Sequence, residues 1–246
     1  MELKDKVVLI TGSSSGIGKT TALRFAKEGC KVIINYNVNE QGAEETLKEL
    51  KDINENCISI QADVSDPKEV GRMFEEIIKK FNTFDILINN AGKSIDLVDF
   101  IKADKTHIQS FFDVNVIGTM LCSQEALKIF NKNGQGKILN NSSIKGWEHG
   151  GGGVVYAATK AAVNSFTRTL AKSVTPPITV NAVGPGYVKT RSYEGMTRDK
   201  MEKYLNSTIL KRWVTEEEIA DAFVFLAKND AMTGQVIYVD AGFTLK

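Results

Sequence analysis

The sequence predicts an α/β fold, a doubly wound parallel sheet with helices on both faces. Three observations predict it. Short runs of Val, Ile and Leu recur along the chain, each ended by Gly, Asn or Asp; longer stretches with helical spacing of apolar residues fill the gaps; and a glycine-rich turn joins the first run to the first helix. Runs that are apolar throughout, rather than alternating, suit strands buried on both faces, the condition of a parallel sheet.

Taken in order, "KVVLITG" (6–12) is the first strand. The turn "TGSSSGIG" (11–18) follows it, then a helix in "GKTTALRFAKEG" with Ala22, Phe25 and Ala26 on one face and Gly29 as its stop. "KVIINY" (31–36) and "CISIQADV" (57–64) are the next strands. "DPKEVGRMFEEIIKKF" (66–81) opens a helix with Asp66 as N-cap and Pro67 at the first helical position. "FDILINNAG" (84–92) is a strand, "FFDVNVIGTMLC" (111–122) is helical, and "KILNNSS" (137–143) is a strand again. A helix in "VVYAATKAAV" (154–163) precedes the last two strands, "ITVNAVGPG" (178–186) and "QVIYVDAG" (235–242).

A chain of 246 residues with 42% apolar and 25% charged side chains suits one domain with a full core, expected over 1–246 with a substrate lid at about 187–212. Its 31 basic and 30 acidic residues are interspersed, so neither nucleic acid nor a membrane surface is expected as a partner. The opening "MELKDKVVLI" lacks the form of a signal sequence, and no apolar run approaches the roughly 18 to 20 residues that span a bilayer. A cytoplasmic protein acting on small molecules is the expectation. Cys30, Cys57 and Cys122 lack disulfide or zinc spacing, and His107 and His149 offer no ligand cluster, so no metal is expected.

Gly12, Gly16 and Gly18 stand between a strand and a helix. There, glycines let the backbone turn tightly and approach a pyrophosphate, which the positive helix end attracts. A structural strand-to-helix connection would look similar. Asp63 and "NNAG" (89–92) fall at the carboxyl ends of the third and fourth strands, on the edge where open α/β sheets bind ligands. Tyr156 and Lys160 lie at i and i+4 of one helix, with Cβ atoms about 5–6 Å apart. An ammonium about 4 Å from a phenol contributes on the order of 4 kcal/mol at an effective dielectric of about 20, enough to lower its pKa by two or three units. Burial opposes that shift. A tyrosine with a lysine snorkelling beside it is the plainer account of the pair taken alone.

Ser143, at the end of the fifth strand, and Asn115, an amide in an apolar helix, complete a constellation. With T-G-x-x-x-G-x-G at 11–18, N-N-A-G at 89–92, Y-x-x-x-K at 156–160, "NAVGPGYVKT" and "TGQVIYVDAG", the chain resembles the short-chain dehydrogenase/reductase family over essentially its whole length. The overall likeness is to its 3-oxoacyl-[acyl-carrier-protein] reductases and glucose dehydrogenases.

The resemblance implies a Rossmann-type, NAD(P)-dependent oxidoreductase that interconverts a carbonyl and a secondary alcohol. Tyr156 would be the general acid and base, and Ser143 would hold the substrate oxygen. Lys160 would bind the nicotinamide ribose and lower the phenol pKa, and Asn115 would position a proton-carrying water. Coenzyme contacts would come from Gly12, Ser13, Ser14, Ser15, Gly16, Ile17 and Gly18, and from Asn35, Tyr36 and Asn37 after the second strand. Asp63, Val64, Asn89, Ala91, Gly92, Pro185, Gly186, Val188 and Thr190 would add to them.

One departure bears on the coenzyme. The acid that binds the ribose 2'-hydroxyl of NAD, about 20 residues past the glycines, is missing, since "VIINYNVNE" carries none before Glu40. NADP, with its 2'-phosphate near Ser13, Ser14 and Asn37, is therefore preferred to NAD, although the arginine that commonly accompanies such a phosphate is also absent. For substrate, a 3-oxoacyl thioester leads, and oxidation of a sugar or secondary alcohol is the alternative. The excess of basic residues between Lys189 and Arg212 fits either an acidic carrier at the mouth or a solvated helix face. A dinucleotide-sensing protein without catalysis is the reading from another class. The alanine-rich helix from Val154 carries more apolar positions than one buried stripe needs and is expected to pack on both sides, and the resemblance implies a homotetramer through it and the helix of Asn115.

Overall fold

The computed structural model describes residues 1–96, 98–147, 153–188 and 197–245. All seven expected strands form: β1 (Val7–Ile10), β2 (Lys31–Tyr36), β3 (Ile58–Gln61), β4 (Ile86–Asn89), β5 (Lys137–Asn141), β6 (Thr179–Pro185) and β7 (Val236–Val239). They pair in the order β3-β2-β1-β4-β5-β6-β7, parallel throughout, with Leu9 opposite both Ile33 and Leu87. Because the strands are parallel, every carboxyl end reaches the same edge. The order reverses between β2-β1 and β4-β5, and that switch leaves a crevice above β1 and β4.

The helices are α1 (Gly16–Lys27), α2 (Glu40–Ile53), α3 (Pro67–Phe81), α4 (Lys105–Phe112), α5 (Thr119–Asn133), α6 (Val154–Ser173), α7 (Arg198–Ser207) and α8 (Glu216–Lys228). Alternation along the strands sorts the core into two layers. Val8, Ile10, Ile34, Ile86 and Ile88 meet Phe25 of α1, Leu50 of α2 and Phe223 of α8. Leu9, Ile33 and Leu87 face the other way, against Phe74 of α3 and Phe130 of α5. In that second layer Phe84 stacks on Phe130 at 5.4 Å and meets Phe74 edge-on at 5.3 Å. Full burial of each large apolar side chain is worth about 1.5–3 kcal/mol, which makes the two layers the main source of stability.

Helix boundaries follow the local signals. Asp66 accepts from the backbone N–H of Lys68 and Glu69 with Pro67 just inside the helix, and Asn82 closes α3 in the left-handed region. Thr215 and Glu218 form a reciprocal capping box at α8. One helical stretch departs from expectation. Asp113–Gly118 is a π-helical turn between α4 and α5, and Gly118 there sits so close to Val64 that a Cβ would fall 2.7 Å from its Cγ2. All three cysteines are buried free thiols.

Candidate active site

The edge above β1 and β4 opens into a cleft of about 1210 Å³. Its floor begins at the glycine turn. Gly12 adopts φ +61, and a Cβ on it would lie 2.7 Å from Ala91 Cα; a Cβ on Gly18 would lie 2.5 Å from the Gly12 carbonyl oxygen. The turn is braced from β2, where Asn35 Oδ1 accepts from the Gly12 N–H at 3.2 Å and Asn35 Nδ2 donates to the Ala62 carbonyl at 2.9 Å. Above it starts α1, whose N-cap Ser15 makes no side-chain cap and whose first turn carries no acid. By contrast α2, α3, α4 and α8 are each capped by Asn39, Asp66, Asp104 and Thr215. The open N–H groups of α1, next to a glycine cradle with no side chain in the way, fit a dinucleotide pyrophosphate.

Ser14, Ser15, Gly16, Ile17, Asn37, Asp63, Val64, Ala91, Gly92, Pro185, Gly186 and Val188 line the cleft with those residues, as the sequence suggested. Three expected contacts are not among the residues that line the cleft. Ser13 is fully buried, and its hydroxyl donates to the Ile10 carbonyl at 2.7 Å and accepts from Asn35 N–H. Tyr36 packs against the core layer beside α1 and α2. Asn89 shares the pleat face of Leu87, so its amide turns under the sheet to Ser123 Oγ (3.1 Å) and Asn140 Oδ1 (2.9 Å). Thr190, His149 and the lid residues 189–196 lie outside the described residues.

The asparagine that the sequence reading passed over is Asn90. Its Nδ2 donates to the Thr11 and Gly12 carbonyls, each at 2.9 Å, while its Oδ1 accepts from Asn141 Nδ2 at 2.8 Å. The Asn141 carbonyl in turn accepts from Lys160 Nζ at 2.7 Å. A polar ladder therefore crosses the strand ends from the glycine turn to the buried lysine. Asparagine doublets at the ends of β4 and β5 ("NN" at 89–90 and 140–141) were the available signal. Only the pleat decides which member of each doublet faces the cleft.

Tyr156, Lys160 and Ser143 come together at the far end. Ser143, at the exit of β5, lies near enough to the Tyr156 hydroxyl to influence its pKa and accepts from the Lys145 N–H at 3.1 Å. Burial pushes the Tyr156 phenol above its ordinary pKa, and the Ser143 hydroxyl pulls the other way. Lys160 Nζ lies 5.6 Å from the centre of the Tyr156 ring, and burial lowers its own pKa to about 8. Lys160 Nζ is turned to the Asn141 carbonyl at 2.7 Å, and in the chain by itself burial holds the phenol above its ordinary value rather than below it. Ser142, next to Ser143, points away and donates to Asn164 Oδ1 at 2.5 Å.

Asn115 is also buried, but its amide is fully engaged: Oδ1 accepts from the Lys93 N–H at 2.7 Å, and Nδ2 donates to Thr159 Oγ1 at 3.0 Å and to the Lys93 carbonyl at 3.3 Å. The π turn swings it there. Its side chain ties the loop after β4 to α6, using both Nδ2 hydrogens. Asp63, at the other end of the cleft, accepts from Asn37 Nδ2 at 2.9 Å. Burial works to raise its pKa, but hydrogen bonds from Ser65 and Asn37 hold it below the ordinary carboxylate value. Over the substrate side, Tyr187 packs against Tyr204 of α7 at 4.4 Å between ring centres and against Phe243 at 5.1 Å.

A family model described as enoyl-(acyl carrier protein) reductase matches residues 12–244. A 3-oxoacyl-[acyl-carrier-protein] reductase of Synechocystis sp. is 34% identical over 99% of this chain and 98% of its own length. Among solved structures, a short chain dehydrogenase from Bacillus anthracis matches with a TM-score of 0.89 and 33% identity, over 99% of this chain and 98% of that one. One from Burkholderia cenocepacia J2315, in complex with NADP, matches with a TM-score of 0.90 and 27% identity, over 99% of this chain and 100% of that one. Likeness that runs the whole length of the chain, in sequence and in three dimensions, makes it a member of the short-chain dehydrogenase/reductase family, NAD(P)-dependent oxidoreductases of carbonyls and alcohols.

Proposed function

We propose that the protein reduces the 3-oxo group of an acyl thioester with NADPH, using Tyr156 as proton donor. The observation that carries this reading is the pair of hydroxyls, Ser143 and Tyr156, lining with Lys160 one end of a cleft that begins at a glycine turn and an uncapped helix. The thioester comes from the likeness to relatives named 3-oxoacyl-[acyl-carrier-protein] reductase.

A bound nicotinamide coenzyme, held by the glycine turn and Lys160, would supply the hydride. The chain's own residues manage the oxygen. Ser143 Oγ, held by the Lys145 N–H, donates to the substrate oxygen and fixes its place, and Tyr156 passes its proton to that oxygen as the C=O π bond breaks and the C–H bond forms. In oxidation the proton returns to Tyr156. A phenol raised by burial stays protonated through neutral pH, which suits reduction. Lys160, held on the Asn141 carbonyl, keeps one positive charge beside the site, where a ribose hydroxyl can accept from it. Asn115 acts through position, by holding Lys93 and Thr159.

For the coenzyme, the supporting feature is the end of β2. The strand end itself carries no carboxylate, and the nearby Asp63 is engaged by Asn37 Nδ2 at 2.9 Å. Instead Asn37, Asn39 and Ser14 surround the start of α2, with Asn39 Nδ2 donating to Ser14 Oγ at 3.2 Å, which leaves the Ser14 O–H to donate to a phosphate. Residues 187–212 serve as the substrate lid, anchored where the Val214 N–H donates to the Tyr187 carbonyl at 3.0 Å. The expected homotetramer is kept as part of this proposal. Ala158 and Ala161 on α6 and Ile117 on the π turn are exposed in the single chain, and sedimentation at micromolar concentration checks the assembly.

The test is NADPH oxidation with acetoacetyl thioester. Turnover by the wild-type chain that disappears in Tyr156→Phe supports the proposal; turnover that survives the substitution removes the phenol from its role.

A further inference from the structure

The helix end that receives the coenzyme phosphates carries no acid of its own, since α1 has no side-chain cap and no carboxylate in its first turn. An acid reaches it from the far end of the chain. Glu216, the first residue of α8, lies across from α1, and its Oε2 accepts from Thr20 Oγ1 at 2.8 Å. Its Oε1 stands 3.7 Å from the point where a Cβ on Gly16, the first residue of α1, would be. The half-buried carboxylate therefore lies alongside the first turn of α1 and lines the cleft together with Gly16 and Ile17.

Glu216 is rigidly mounted. The reciprocal capping of Thr215 and Glu218 fixes the start of α8, and Ile219 and Phe223 are fully buried in the same core layer as Phe25 of α1. The cations of the two helices and their flanks are engaged elsewhere: Lys19 with Glu49, Arg24 with Asp221 and Arg212 with Glu218. Among the described residues no ion pair involves Glu216. What balances its charge is the positive end of α1 next to that of α8, a favourable place for a carboxylate while no phosphate is bound. A pyrophosphate arriving at the same helix end competes for those N–H groups and meets a like charge in a partly buried position, where screening is weak.

We propose that Glu216 limits coenzyme affinity: its carboxylate stabilises the empty end of α1, opposes the pyrophosphate, and so speeds coenzyme release. This rests on the dinucleotide reading of the cleft given above. The pyrophosphate is common to NADH and NADPH, so Glu216 sets how tightly either is held, whereas the choice between them falls to the groups around Asn37 and Ser14. Two opposite effects follow from neutralising it. The chain without coenzyme loses a stabilising charge at a helix end, and the complex loses a repulsion.

The experiment titrates the chain with NADPH and with NADH by nicotinamide fluorescence, in EDTA so that no divalent cation screens the carboxylate. Glu216→Gln keeps the length and an acceptor for Thr20. It is expected to lower Kd for both coenzymes at least fivefold and by the same factor, equivalent to about 1 kcal/mol. Dissociation, followed by stopped-flow displacement, should slow in proportion. The melting midpoint without coenzyme should fall, and the difference in Kd between the two proteins should shrink in 0.5 M NaCl. Glu216→Asp, which keeps the charge, should stay closer to the wild type in Kd than Glu216→Gln does. A Kd that Glu216→Gln leaves unchanged or raises overturns the inference, while coenzyme binding by the wild-type chain leaves the wider reading standing. A gain confined to NADPH assigns the carboxylate to the 2'-phosphate and also overturns it. Binding of neither coenzyme to either protein overturns both readings together.

Discussion

The two ends of the cleft are built from different materials. At the coenzyme end the work falls to main chain: Gly12 and Gly18 allow close approach, α1 presents uncapped N–H groups, and the side chains of Asn35 and Asn90 brace that backbone. At the substrate end it falls to side chains, Ser143, Tyr156 and Lys160, mounted just past the end of β5 and on α6. A backbone site is disabled by adding atoms, and a side-chain site by removing them. The ladder Gly12–Asn90–Asn141–Lys160 joins the two, so the position of the lysine depends on the glycine turn.

The largest effect is expected from subtraction at the substrate end. Tyr156→Phe removes one oxygen and should lower turnover by about 10²–10⁴-fold, with coenzyme affinity, read by nicotinamide fluorescence, changed by no more than a few-fold. A comparable loss of coenzyme affinity would blur the division between the ends. Addition at the coenzyme end comes next. Gly18→Ala puts a Cβ 2.5 Å from the Gly12 carbonyl and 2.8 Å from Ser13 Cα, an overpacking worth about 1–3 kcal/mol. It should weaken coenzyme binding and lower the thermal midpoint, and an unchanged melting curve would contradict the tight turn.

Charge at the adenine side gives a smaller change. Asn37→Asp loses the hydrogen bond to Asp63 and places two carboxylates together where a 2'-phosphate is proposed. The NADPH-over-NADH ratio of kcat/KM should fall by about tenfold, and an increase would reverse the proposed coenzyme preference. The smallest expected effect is a pH dependence. Lys160, with its pKa lowered to about 8, carries its charge below that pH and loses it above, while the raised phenol remains protonated. Reduction should therefore hold level through neutral pH and fall roughly fivefold between pH 8 and 9, as the charged fraction does for a single group. A rate that rises across the same interval would show that the phenol, not the ammonium, is titrating.

Much of this was legible in the chain. The seven strands follow from unbroken apolar runs, the caps of α3 and α8 from Asp66-Pro67 and Thr215-x-x-Glu218, and the gathering of Ser143, Tyr156 and Lys160 from helical spacing and a strand end. What was not legible shares one cause. Asn89 and Asn90 are neighbours of the same type, yet one lies under the sheet and the other lines the cleft, and Ser13 beside Ser14 divides in the same way. Asn115 announced that it needed partners but not that a π turn would hand it Lys93 and Thr159.

The sequence by itself determined the type and order of the elements, because apolar period and turn chemistry act over a few residues and need no distant partner. It also singled out Ser143, Tyr156 and Lys160, which the fold brings to one cleft. Only the tertiary structure decided where side chains point: that Lys160 turns to the Asn141 carbonyl, that burial raises the phenol, and that Glu216 of α8 reaches across to Thr20 of α1. The physical reason is that direction and desolvation are properties of what packs around a side chain, and those neighbours come from strands and helices far apart in the chain.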